Sequence, residues 1–269
     1  MPELAEVEHA RRLFDVGLGQ RIDEVRIATP LARVFRGASV AELSAALVGQ
    51  RFVSSQARGK QLALRFGKPD NRWLGLHLGM AGRLRVEAAA YAPRKHDHLV
   101  LYQKRQALVF HDPRHFGRVQ FFQGAGEPPW WLSLAPSVGD ASFSAEAVAA
   151  YLSRRRRAPL KTVLLTQALF SGVGNWMADE ILWRAGLHPI TPAGALSPEQ
   201  ARTVWQSTRH VAQEAIDVIN DQWEYPLTWL FAHRWKDGGT CPRCRTSLVR
   251  APVGGRTTCW CPRCQPASA

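Results

Sequence analysis

All five cysteines of this 269-residue chain lie after residue 240. Four of them form two Cys-Pro-Arg-Cys pairs, Cys241–Cys244 and Cys261–Cys264, with sixteen residues between the pairs. No other feature restricts the local fold so tightly. Two CxxC turns at that separation are the knuckles of a structural four-cysteine zinc ribbon, in which each turn offers two thiolates and an intervening hairpin closes the tetrahedron. A pair of redox CxxC motifs is the competing reading, but such motifs favour a βαβ setting that the surrounding sequence lacks. Cys259 is left over. It could replace Cys261 as a ligand only by breaking the paired spacing, so a free thiol is expected there. One structural zinc ion is expected to contribute about 10 kcal/mol or more to folding so small a module. Cysteines so few and so clustered do not make a disulfide scaffold.

The rest of the chain has room for one large domain or two modest ones. Apolar residues make up 46%, enough for a packed core, and the formal net charge is +13. An excess of that size favours a polyanionic partner, nucleic acid before anionic membrane. No apolar run approaches the roughly 18 residues of a spanning helix. Glu3, Glu6 and Glu8 occupy an N-terminus with no apolar h-region, so no signal peptide is expected. A soluble, cytosolic protein is the expectation.

Leu4, Val7, Ala10, Phe14 and Leu18 recur at helical spacing and predict an amphipathic helix over residues 3–18. Short runs at 21–28, 60–66, 73–78, 98–103 and 118–122 read as strands, interrupted by a helix from a Ser39 N-cap to Gly49. Many short strands without intervening helices predict an antiparallel β-sandwich or barrel. Residues 124–140 are rich in proline and glycine and read as a linker or as a long surface loop. Helical patterns follow over 144–152, 160–170, 175–185 and 197–220, the last opening on Ser197-Pro198-Glu199. The expected architecture is α+β and multidomain: a β-sandwich domain over 1–123, a linker over 124–140, a helical domain over 141–236 and a zinc finger over 237–269.

Pro2-Glu3-Leu4-Ala5-Glu6-Val7-Glu8 opens the chain, and the cysteine quartet closes it. Between them come Gly59-Lys60, His77-Leu-Gly-Met80-Ala-Gly, Lys95-His-Asp-His98, Asp112-Pro-Arg-His-Phe-Gly117 and Gly172-Val-Gly-Asn175. In this order, and over nearly the whole length, the motifs resemble the formamidopyrimidine-DNA glycosylase / endonuclease VIII family. The resemblance implies a helix–two-turn–helix in the helical half and a monomer acting on damaged double-stranded DNA. Its activity would be that of a bifunctional DNA glycosylase and AP lyase of base excision repair. Removal of Met1 would leave Pro2 with a secondary α-amine; an α-amino group titrates near ~8 against ~10.4 for lysine, so part of it is nucleophilic at neutral pH. Pro2 would bond to C1′ of the deoxyribose as a Schiff base, opening the way to β- and δ-elimination. Glu3 would protonate the sugar ring oxygen and shuttle protons, although a first-turn glutamate also simply complements a helix dipole. Glu6 would be a supporting carboxylate and Lys60 a cation near the scissile phosphate.

The family pattern further implies that Met80, Arg114 and Phe116 fill the gap left by an extruded base. His77, Asn175 and Arg256, with Lys60, would contact phosphates. Asn175 follows a glycine turn and should open a helix, where free N–H groups favour an anion. Arg154–Arg157 with Lys161 adds general basic charge or forms a solvated helix face.

The chain departs from the family pattern at Ala5, where proline is usual, at His115, where arginine is common, and at Thr166, where aspartate is usual. Only twenty residues separate Asn220 from Cys241, and they include Trp223, Trp229 and Trp235. The longer loop that closes over 8-oxoguanine in other members is thus shortened, while the Met-Arg-Phe triad resembles the formamidopyrimidine branch. Ring-opened formamidopyrimidines and oxidised pyrimidines are therefore the expected substrates ahead of 8-oxoguanine. A non-catalytic damage- or structure-specific DNA-binding protein on the same scaffold is the alternative. A zinc-ribbon RNA-binding protein would leave the N-terminal motif idle.

Overall fold

The structure, a computed structural model, describes residues 1–28, 33–35, 38–67, 71–221 and 224–267. The chain divides into two compact units, residues 1–2 with 6–134 and residues 3–5 with 135–269. Among the described residues no helix is long and apolar enough to cross a membrane.

Helix α1 (Leu4–Phe14) ends earlier than its periodicity predicts and tightens into a 3-10 turn over Asp15–Gly17. A distant side chain holds the end of that turn: Gln103 donates to Gly17 O at 2.9 Å and leaves no room for a Cβ at Gly17. Then come β1 (Glu24–Arg26), α2 (Val40–Leu47), β2 (Phe52–Arg58), β3 (Gln61–Phe66), β4 (Asn71–His77), β5 (Arg83–Ala88), β6 (Asp97–Gln103), β7 (Gln106–His111) and β8 (Arg118–Gly124). Ser39 Oγ accepts from Glu42 N and caps α2 as expected.

The strands form two four-stranded antiparallel sheets, ordered β2-β3-β4-β8 and β1-β6-β7-β5. Leu62, Leu64, Leu74 and Leu76 from one sheet share a core with Leu84, Leu99, Leu108 and Phe110 from the other, joined by Val7 and Phe14 of α1. This is the expected antiparallel sandwich. Three strands escape the sequence reading. β2 and β5 are edge strands: β2 carries a run of polar residues in place of an apolar alternation, and β5 alternates but is six residues long and buries only Leu84. β7 is concealed by the two-residue turn Lys104-Arg105 that joins it to β6.

The segment read as a linker is folded in its first half. Pro129–Leu132 forms the short helix α3, and Trp131, 1% exposed, packs with Ala63 and Trp73 against the sheet. Trp73 Nε1 donates to Gly126 O at 2.9 Å. Two adjacent tryptophans carry too much apolar surface to stay in solvent, and the first unit accordingly extends to Leu134.

In the second unit α4 (Ala145–Arg154), α5 (Leu160–Leu164), α6 (Asn175–Ala185) and α7 (Pro198–Asp221) enclose a separate core that includes Phe170, Met177, Ile181 and Val211. Ser144 caps α4, and Ser197 with Gln200 forms a capping box on α7. α5 stops well short of the expected Phe170. Thr166 Oγ1 donates to Val163 O at 2.6 Å, and the Gln167 amide bonds Leu165 O, Val173 O and Gly172 N, so side chains take over the backbone groups a longer helix would use. The C-terminal hairpin pairs β9 (Val249–Val253) with β10 (Arg256–Trp260). Its turn, Gly254-Gly255, has φ of 57° and 75°, the left-handed pair a two-residue hairpin needs.

Candidate active site and nucleic-acid interface

Glu3 is 2% exposed and caps α6. Its Oε2 accepts from Gly174 N at 2.8 Å and Met177 N at 3.2 Å, and its Oε1 accepts from Trp176 N at 3.0 Å. Three backbone donors at a helix N-terminus complement a carboxylate by hydrogen bonding and by the dipole. Leu4 N donates to Gly172 O at 3.1 Å and clamps the next residue to the same turn. The glycine at 174 is a matter of space, since an added Cβ would collide with Glu3 Cδ. Glu3 thus complements the dipole of α6, not that of its own helix.

This capping corrects one expectation. Asn175 does open α6, but three of the N–H groups expected to meet a phosphate are bonded to Glu3. What Asn175 offers is its amide, whose Nδ2 donates to Thr257 O of the zinc hairpin at 2.8 Å. Pro2 is half-buried, and Glu6 sits in the first turn of α1.

In the first unit the sheet register collects cations at one end. Lys60 precedes Gln61, which pairs with His77 on β4, and His77 pairs with Arg118 on β8. Burial lowers the His77 pKa, and the charges of Arg118 and Lys60 lower it further. His77 Nδ1 accepts from Gly79 N at 3.0 Å and fixes the turn that carries Met80. Gly79, at φ 63°, presses on the backbone of the next loop: a Cβ there would collide with the carbonyl carbon of Phe116. The Met80 turn and the Arg114–Phe116 loop are therefore neighbours. Met80 is half-buried, Arg114 is exposed with its guanidinium 5.1 Å from the Phe116 ring centroid, and Phe116 is 56% exposed. A flexible apolar chain, a cation and a bare aromatic edge come together as the sequence motifs imply. Asp112 holds the loop by accepting from Arg114 N and Gly117 N.

His115, which stands where an arginine is common, faces His98 at 4.7 Å and His96 at 5.5 Å between ring centroids. His98 is fully buried, with Nε2 2.9 Å from Asp112 O. Burial lowers its pKa, opposed by the Asp112 carbonyl and reinforced by His115 and His96. A depressed histidine pKa means that the unfolded chain takes up a proton first. The stability contributed by neutral His98 and His77 is therefore complete above the unfolded value of about 6.5 and is lost as pH falls below it. Denaturation midpoints are expected to drop between about pH 7.5 and pH 5.5, and a flat profile across that window would contradict this assignment.

In the second unit the sulfurs of Cys241, Cys244, Cys261 and Cys264 lie within 4.8 Å of one another. Separations such as 3.4 Å for Cys244–Cys261 and 3.9 Å for Cys241–Cys264 bracket the roughly 3.8 Å edge of a tetrahedron with Zn–S near 2.3 Å. The quartet fits a structural zinc ion. Trp183 Nε1 donates to Cys241 Sγ at 3.4 Å, a partner suited to a thiolate. Cys259 is outside the quartet and buried, which decides between it and Cys261. Arg256 is exposed at the start of β10, beside the glycine turn.

Lys161 is not part of a general basic surface. It is fully buried, donating to Asp179 Oδ1 at 2.5 Å and to Asn175 O at 2.6 Å. Asp179 Oδ2 accepts from Arg234 Nε at 3.0 Å and from Cys259 N at 3.1 Å. One carboxylate thus ties α5, α6, the segment before the zinc finger and β10 together. A pair of acids, Asp179-Glu180, in the middle of a mostly apolar helix is the sequence signal that hints at this node. Thr166 accepts from the Tyr151 hydroxyl at 2.9 Å, and Ala5 is fully buried in the second unit's core.

The short segment before the zinc finger is an aromatic layer. The rings of Tyr225 and Phe231 lie 4.8 and 5.0 Å from that of Trp176, whose N–H holds Glu3, and Trp229 stacks on Tyr225 at 5.4 Å. Trp235 is 57% exposed against Phe231. Trp223 lies outside the described residues.

Three family models match in sequence: the formamidopyrimidine-DNA glycosylase N-terminal domain over residues 1–119, its H2TH domain over 134–224, and the zinc finger found in FPG and IleRS over 238–267. The formamidopyrimidine-DNA glycosylase of Geobacter metallireducens is 38% identical, covering 98% of this chain and 100% of that protein. That of Thermus thermophilus is 37% identical, with 98% of each chain covered. Among solved structures, the Lactococcus lactis enzyme bound non-covalently to DNA containing an AP site superposes with a TM-score of 0.88 at 28% identity, over 98% of this chain and all of that one. The same enzyme with DNA containing N7-benzyl-Fapy-dG gives 0.87 at 28% identity, over 99% of this chain and all of that one.

Proposed function

The chain belongs to the formamidopyrimidine-DNA glycosylase family of base excision repair, and from that membership we propose a bifunctional glycosylase and AP lyase that works through Pro2. With Met1 removed, the Pro2 nitrogen lone pair forms a bond to C1′ as the bond to the damaged base breaks and the base leaves with a proton. The nitrogen passes its own proton to the Glu3 carboxylate, which hands it on to O4′ as the nitrogen lone pair expels that oxygen, leaving an iminium. Loss of a C2′ proton into that electron sink breaks the C3′–O3′ bond, and subsequent loss of the C4′ proton breaks C5′–O5′. Glu6 supports the carboxylate, and Lys60, His77, Asn175 and Arg256 grip phosphates. Met80, Arg114 and Phe116 occupy the gap in the stack. Cys241, Cys244, Cys261 and Cys264 hold one structural zinc ion, and the protein acts as a monomer on damaged duplex DNA.

The observation that carries this reading is the anchoring of Glu3 by three backbone N–H groups of residues 174–177, directly after a residue able to present a secondary amine. A carboxylate fixed so firmly beside a nucleophile suits proton transfer. The shortened, aromatic segment over residues 224–235 favours ring-opened formamidopyrimidines and oxidised pyrimidines over 8-oxoguanine. Borohydride reduction on an abasic duplex tests the proposal: the processed chain is expected to give a covalent adduct that maps to Pro2. A folded, zinc-loaded protein that binds the duplex and yields no adduct would instead be a non-catalytic damage-binding protein.

A further inference from the structure

The arginine run Arg154-Arg155-Arg156-Arg157 has no part in the site above. It forms the turn from α4 to α5, and no aspartate or glutamate occurs between Glu146 and Asp179. Arg154, Arg156 and Arg157 are exposed, and among the described residues no ion pair engages them. The turn is braced. The Arg155 guanidinium stacks 3.6 Å from the Tyr151 ring centroid, Ala158 N donates to Arg155 O at 2.9 Å, and Gly194 N donates to Arg156 O at 3.0 Å. Gly194 packs so closely that a Cβ would lie 2.8 Å from Arg156 Cβ. Holding three exposed cations on a fixed backbone lowers the ordering cost of each contact with a planar or tetrahedral anion.

The position of the turn gives the patch its partner. Gly254 of the zinc hairpin abuts α5, since an added Cβ would collide with Thr162 Oγ1. Arg157 and Thr162 are five residues apart, at most about 18 Å even for an extended chain. Each strand of a duplex carries one phosphate per 3.4 Å or so of helix axis, so the arginine turn lies within about five base pairs' rise of the hairpin tip that carries Arg256. We propose that Arg154, Arg156 and Arg157 form a second backbone grip for double-stranded DNA, continuous with the Arg256 contact and falling on the duplex flanking the lesion. A helix C-terminus alone would favour a cation at Arg154, but not at the two residues beyond it.

This inference rests on the reading of the chain as an enzyme of duplex DNA, and its test separates the two. Affinity is measured across about 50 to 200 mM salt on undamaged duplexes, one only as long as the lesion footprint and one several helical turns long. The wild-type slope of log K against log salt is expected to be steeper on the long duplex. The variant Arg154→Gln/Arg156→Gln/Arg157→Gln is expected to lose about 0.9 of slope per contact there, roughly two to three in all. Its adduct yield on a short abasic duplex is expected to stay at the wild-type level, and the corresponding triple lysine variant to keep the steep slope. Equal slopes for wild type and glutamine variant on the long duplex overturn the proposal. So does a lost slope that lysine fails to restore, or a loss of affinity confined to single-stranded RNA. Failure of the wild type to form an adduct would remove the enzymatic reading, while the slopes would still decide the grip.

Discussion

Glu3→Gln is expected to lower single-turnover excision of a formamidopyrimidine by roughly two to four orders of magnitude, the range for loss of a positioned proton donor. Adduct formation on a preformed abasic site is expected to fall much less, because an abasic sugar already samples its open aldehyde without help from the enzyme. The amide also disturbs the cap: with one carbonyl oxygen it cannot serve both the Gly174 and Met177 donors at Oε2 and the Trp176 donor at Oε1. Gly174→Ala approaches the same contact from the other side. The backbone at 174 has φ −124° and tolerates alanine, so the whole effect comes from a methyl group forced against Glu3 Cδ. That variant is expected to lose excision in parallel and to lose about 1 to 3 kcal/mol of stability through overpacking. Excision by Glu3→Gln within a few-fold of wild type would refute the assigned proton transfer.

Removal of zinc, by a chelator or by Cys244→Ser with Cys261→Ser, is expected to unfold the C-terminal hairpin. Binding of a structural ion of this kind is worth about 10 kcal/mol or more, whereas the hairpin's own apolar cluster is small: Trp183, Leu230, Leu248 and the cysteines. Loss of the hairpin removes Arg256 and the Thr257 carbonyl that holds the Asn175 amide. Duplex affinity is therefore expected to fall together with zinc content. Hydrogen exchange across Arg256–Trp260, read beside metal analysis, checks this. Protection that persists in zinc-free protein would contradict the role given to the quartet.

The motifs named the chemistry more readily than its supports. Cys241, Cys244, Cys261 and Cys264 were legible because thiolate ligation imposes a spacing. The capped starts of α2 and α7 were legible because serine side chains meet specific N–H groups. The Glu3–α6 cap was not, since it links positions 171 to 174 residues apart and no local pattern records it. Lys161 was misread for a related reason. On a helix after four arginines it looks like surface charge, and only the tertiary fold places Asp179 against it. The edge strands β2 and β5 were less legible because little of either is buried: Phe52 in β2 and Leu84 in β5 are their fully covered apolar residues.

The carboxylate of Asp179 also limits how this protein can be recombined with its relatives. Lys161, Arg234 and the Cys259 backbone come from three separate stretches of chain and meet on that single acid. A chimaera that imports a foreign metal-binding module, or grafts a longer lesion-covering loop over residues 224–235, must therefore bring compatible partners for it. Otherwise the graft strands an unneutralised charge in the interior, and the hybrid fails at a junction far from the segment that was exchanged.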